Sequence, residues 1–69
     1  MFGALEMAYM TSQEIGSKIV DKLEVMAADG GRISWDEAIM EATNGEPGII
    51  HSLLHDDVVR IERMRKYFL

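Results

Sequence analysis

The punctuation of the first half of the chain most limits what it can become. Thr11-Ser12-Gln13-Glu14 has the form of a capping box, in which the Thr11 hydroxyl takes the amide of Glu14 while the Glu14 carboxylate reaches back. Asp29-Gly30-Gly31 is the matching stop, because glycine adopts the left-handed conformation at little cost. Between them Ile15, Ile19, Leu23 and Met26 recur at spacings of four, four and three. Val20 and Ala27 widen this stripe, and Lys18, Asp21, Lys22 and Glu24 take the other side. The pattern predicts an amphipathic helix, with Met10 and Ile15 as a hydrophobic staple across its start.

The device repeats at Ser34-Trp35-Asp36-Glu37, with Ile33 and Ala38 in the staple positions and two acids at the positive end of the helix dipole. A second helix is expected to about Thr43, with Ala38, Ile39 and Ala42 facing inward and Asn44-Gly45 ending it. Pro47 suits the first position of a third helix of about two turns, whose apolar side is Ile49, Ile50, Leu53 and Leu54. The segment from Val58 to Leu69 reads two ways. Beta-branched Val58, Val59 and Ile61 and the pair Tyr67-Phe68 favour two strands reversing near Arg63-Met64. The helical alternative rests on Val58, Ile61, Met64 and Phe68 at spacings of three, three and four, on Asp56-Asp57 as a start, and on the lack of a glycine at the reversal. The hairpin is the reading adopted, because it fits the order of the elements before it.

At 69 residues one domain is expected, with a core that needs nearly all of its apolar side chains. Ordering the chain costs on the order of 100 kcal/mol at roughly 1.5 kcal/mol per residue. Hydrophobic residues make up 48% of the sequence, more than a disordered chain carries. With no cysteine, disulfides, thiolate zinc sites and cysteine nucleophiles are excluded, and a reducing cytoplasmic setting is the simplest expectation. Residues 1–10 are apolar, too short to span a bilayer, without a basic start and interrupted by Glu6, so neither a signal peptide nor a membrane anchor is expected. They read as an extra turn or an arm preceding a domain at 11–69. As an arm, Phe2, Leu5, Met7, Tyr9 and Met10 would form a dimer or partner interface, giving a homodimer.

Charge is unevenly placed. From Met1 to Glu46 nine acids stand against three bases, whereas from Pro47 onward Arg60, Arg63, Arg65 and Lys66 outnumber Asp56, Asp57 and Glu62. The net charge of −5 argues against indiscriminate phosphate binding, which belongs to basic surfaces.

Helix, extended Arg32-Ile33, short helix, tight turn, short helix and two candidate strands, taken in that order, resemble a winged helix-turn-helix domain. The resemblance covers roughly Ser12 to Leu69. It is carried by Ile33-Ser34-Trp35-Asp36-Glu37-Ala38 as the start of the second helix, by Ile50-His51-Ser52-Leu53-Leu54 as the recognition helix, and by Val59-Arg60-Ile61 with Lys66-Tyr67-Phe68-Leu69 as the wing strands. It implies a mainly α fold with a small β-hairpin, the alternative being an all-α small helical bundle. It also implies double-stranded DNA as partner, with His51, Ser52 and His55 entering the major groove and Arg60, Arg63, Arg65 and Lys66 contacting phosphate from the wing.

The sharper chemistries find little support. His51 and His55 share a helix face as a zinc pair would, with Asp56 or Asp57 as a third ligand, but no other metal signature accompanies them and they read as surface histidines. Asp29-Gly30-Gly31-Arg32-Ile33 through Glu37 resembles the second half of a calcium loop, yet Met26, Ala27 and Ala28 stand where oxygen ligands are needed. Asp36-Glu37 and Asp56-Asp57 are neighbours that point in different directions on a helix, so neither is an acid and base dyad. Trp35 reads as inter-helix packing. No serine lies in a nucleophile motif and no glycine run cradles phosphate, so neither an enzyme nor a cofactor is expected. The function expected is a small DNA-binding transcriptional regulator with a basic wing; the alternative is a non-catalytic adaptor or inhibitor docking a partner protein on its acidic helices or apolar arm.

Overall fold

The computed structural model describes residues 11–69. Helix α1, Ser12–Ala28, begins where the Thr11 hydroxyl accepts the Glu14 amide at 3.2 Å. It ends with Gly30 and Gly31 at positive φ, their amides donating to the carbonyls of Ala27 and Met26. Helix α2, Trp35–Ala42, starts on the Ser34 hydroxyl, which accepts the Glu37 amide at 3.2 Å. It ends in the same way, with Asn44 left-handed at φ 54° and the amides of Asn44 and Gly45 donating to Glu41 and Met40. Both hydroxyl caps and both stops follow the sequence, whereas the return bond expected from the Glu14 carboxylate is absent among the described residues.

The next element departs from expectation. Pro47–Ser52 is a 3₁₀ turn rather than a two-turn α-helix. Glu46 in front of it makes no side-chain cap, Gly48 is a poor helix former, and the Ser52 hydroxyl donates to the Ile49 carbonyl at 2.8 Å, closing the turn locally.

The larger correction is at the C-terminal end. Helix α3 spans His55–Arg63 and runs into a second 3₁₀ turn, Met64–Tyr67, so three quarters of the described residues are helical and none is in a strand. The expected β-hairpin over Val58 to Leu69 is not formed, and the winged helix-turn-helix architecture built on it is replaced by a compact all-α arrangement. Asp56 and Asp57 in the first turn of α3 and Arg60 and Arg63 in its last complement the helix dipole. A side-chain stripe meeting α1 then outweighs the strand preference of Val58, Val59 and Ile61. Only the last residues are extended: the Leu69 amide donates to the Ile33 carbonyl at 3.1 Å, one bond and no ladder.

α1 packs against α2, α3 and the final 3₁₀ turn. Ile15, Ile19, Val20 and Leu23 of α1 meet Ala38 and Ala42 of α2 and Ile61 of α3 in one buried cluster, with Ile33, Trp35, Ile39, Ile49, Leu53, Met64 and Phe68 packed around it. The alanines let α2 approach α1 closely. Buried Thr43 donates its hydroxyl to the Ile39 carbonyl at 2.7 Å, so its burial leaves no unbonded donor. Lys22 joins α1 to the end of α2 by donating to the Asn44 side-chain carbonyl at 2.9 Å. Among the described residues no helix is long and apolar enough to cross a membrane.

Candidate functional site

Because Ala38 and Ala42 turn inward, the flank of α2 carrying Trp35, Ile39 and Met40 is left at the margin of the core. Ser34 fixes Trp35 as the first helical residue. Trp35 is half-buried, its ring centroid 5.7 Å from that of Phe68 at a tilt of 51°, which anchors one edge of the indole. Opposite stands the 3₁₀ turn, where Pro47, Ile50 and His51 fall on one side at intervals of three and four. Glu62 of α3 closes a third edge, and Asp36 stands beside Trp35. The result is a half-open groove of about 420 Å³ with an apolar floor and two carboxylates on its rim. Met40, 48% exposed, is the large hydrophobic side chain in it that is open to solvent.

His51, Asp36 and Glu62 share this groove, but no hydrogen bond or ion pair joins them among the described residues. Nor do the described residues bring together three or more histidine, aspartate or glutamate side chains able to hold a metal. The groove can bury apolar groups and attract a cation at its rim.

The residues expected to read DNA are dispersed. His51 belongs to the groove wall and His55 opens α3, while Ser52 closes the 3₁₀ turn with its hydroxyl already engaged. The Ser52 carbonyl accepts the Ser12 hydroxyl at 3.4 Å, which ties the turn to the start of α1. No single recognition helix presents the three. Arg60, Arg63 and Lys66 recur every third residue along α3 and the turn after it, whereas Arg65 lies away from that row. Arg60 donates to Asp57 Oδ1 at 3.4 Å, and Lys66 Nζ sits 5.3 Å from the centre of the Tyr67 ring. The interface expected from Phe2, Leu5, Met7, Tyr9 and Met10, and with it the homodimer, falls outside the described residues.

Sequence reasoning missed the groove as a unit, since its walls come from three elements. One signal was present: Met40 is an apolar residue outside the inward stripe of Ala38 and Ala42. Comparison with family models, curated proteins and solved structures finds no match to this chain.

Proposed function

We propose that the chain is a non-catalytic binding module whose partner is a protein, received in the groove between α2, the first 3₁₀ turn and α3. The carrying observation is the apolar floor formed by Trp35, Ile39, Met40 and Ile50, open to solvent and rimmed by polar side chains, the kind of surface that marks interaction sites. Tryptophan and methionine suit such a floor: the indole offers a large rigid face, and the thioether adapts to varied shapes. The acidic balance of the chain is compatible with this reading and opposes a broad phosphate contact.

A second reading, double-stranded DNA, rests on one observation, the row Arg60, Arg63 and Lys66 along one side of α3 and its extension. Asp57 engages the first of these cations. Duplex affinity carried by this row would fall steeply with salt, with the slope lowered by about one for each phosphate-contacting residue removed.

One experiment separates the two. Peptides selected from a random displayed library against the full chain are tested on the Met40→Glu and Arg63→Ala variants, beside a titration with mixed-sequence duplex DNA at about 50 mM salt. The protein-binding reading expects peptides that lose affinity on Met40→Glu and keep it on Arg63→Ala, with no duplex binding. Salt-sensitive duplex binding weakened by Arg63→Ala, or peptides indifferent to Met40→Glu, would overturn it.

A further inference from the structure

We propose that the groove takes a basic amphipathic helix of the partner, which sets apolar side chains against Trp35, Met40 and Ile50 and places Lys or Arg beside Asp36 and Glu62. This rests on the protein-binding reading above and adds the chemistry of the occupant. Asp36 and Glu62 are exposed at the rim, come from different helices, and have no cationic partner among the described residues. No Lys or Arg of the described residues lines the groove, and His51, the one basic side chain in its wall, forms no ion pair with either acid, so both acids are open to a cation that arrives with the occupant. The charge of −5 would also draw a cationic segment toward the chain at long range. A helix suits the shape, because apolar side chains at spacings of three and four present one narrow ridge to a groove walled by α2 and the 3₁₀ turn.

Other occupants match less well. Residues 1–10 of this chain carry Glu6 and no Lys or Arg, so they bring the wrong charge. Phosphate-rich nucleic acid would meet the two rim carboxylates. A second copy is itself acidic and would be repelled by the first.

Trp35 is the single tryptophan of the chain and lines the groove, so its emission reports occupancy directly. The probe is an amphipathic helical peptide of about twelve residues with leucine at spacings of three and four and lysine elsewhere. Its counterpart carries glutamate in place of lysine, and neither contains an aromatic residue. The lysine peptide should shift Trp35 emission and bind about tenfold or more tighter than the glutamate peptide at about 50 mM salt, with the gap shrinking at about 500 mM. Glu62→Lys should narrow that gap clearly more than Glu24→Lys, the same charge change on α1 away from the groove, which alters only the long-range attraction. Met40→Ser should weaken the lysine peptide without altering circular dichroism.

The outcomes are separable. If both peptides shift Trp35 emission equally, the preference for a cation is wrong and the binding reading stands. If Glu24→Lys acts as strongly as Glu62→Lys, or Met40→Ser changes nothing, the attraction belongs to net charge and the groove assignment falls. If neither peptide moves the emission, both readings fall.

Discussion

Gly16 of α1 and Asp57 of α3 meet inside the fold, and the contact leaves no room for a larger residue. A Cβ at position 16 would lie 2.8 Å from Cγ and Oδ2 of Asp57 and 2.9 Å from its Cβ. Asp57 is only 5% exposed, so its carboxylate cannot swing aside. Energetically the aspartate is close to balanced. The dipole of α3 contributes about 0.3–1 kcal/mol, and the pair with half-exposed Arg60 at most about 1 kcal/mol. Against them, Oδ2 accepts no hydrogen bond among the described residues, at a cost of about 1–3 kcal/mol. What Asp57 does is fill the space that Gly16 leaves. In a helix interior alanine gains about 1 kcal/mol over glycine, whereas overpacking costs about 1–3 kcal/mol. Gly16→Ala should therefore bring no gain and lower stability by up to about 2 kcal/mol in urea unfolding. In an Asp57→Gly background, which removes the side-chain atoms that the new methyl would meet, the same change should stabilise by about 0.5–1 kcal/mol, and an equal loss in both backgrounds would show that the conflict lies elsewhere. Gly31 is the stricter case. Its φ is 58° and a Cβ there would run into the Tyr67 carbonyl, so Gly31→Ala should cost more than about 2 kcal/mol and release the extended end from Ile33.

At the scale of elements, what could be read from sequence was what is local. Thr11, Ser34, Gly30-Gly31 and Asn44-Gly45 act on backbone groups within a few residues of themselves, and the structure puts each where its chemistry requires. The segment after Leu54 could not be settled in that way, because its beta-branched residues prefer strands while its apolar spacing fits a helix on α1. The tertiary contact decides, and no local signal reports it. The same reason hid Asp57, indistinguishable in sequence from exposed Asp56, and hid the groove, assembled from three elements. α3 also begins without help. Leu54 occupies its N-cap position at φ −66° and ψ 148°, the extended geometry of a cap, but leucine offers no acceptor and is 56% exposed. Leu54→Ser should supply the missing bond to α3 and raise stability by about 1 kcal/mol. That corresponds to a rise in Tm of roughly 4–8 °C for a domain of this size. The mirror experiment, Ser34→Ala, should remove a bond that is present and lower stability by about 1 kcal/mol. If Leu54→Ser lowers Tm, its side chain contributes more to packing than its exposure indicates.

For the whole molecule the governing quantity is the imbalance of charge. Twelve acids face seven bases over 69 residues, and the described residues contain one ion pair, Arg60 with Asp57. Most carboxylates thus repel one another without a specific partner, and compaction brings them closer. That repulsion acts between exposed groups and is screened by salt, whose Debye length falls from about 10 Å at 0.1 M to about 3 Å at 1 M. The core is little affected by sodium chloride at these concentrations, in contrast to sulfate, which strengthens burial by exclusion from the surface. Raising sodium chloride from about 0.05 M to 0.5 M should therefore increase Tm by a few degrees, the reverse of a fold held by surface ion pairs. Glu24→Lys relieves part of the same repulsion at an exposed position of α1 and should both raise Tm at low salt and flatten its salt dependence. Thermal unfolding followed by circular dichroism at several salt concentrations measures both. A Tm that falls as salt rises would mean that attractive pairs outweigh repulsion. The acidic surface would then be a structural asset, and the case that its rim carboxylates are kept for a cationic partner would weaken with it.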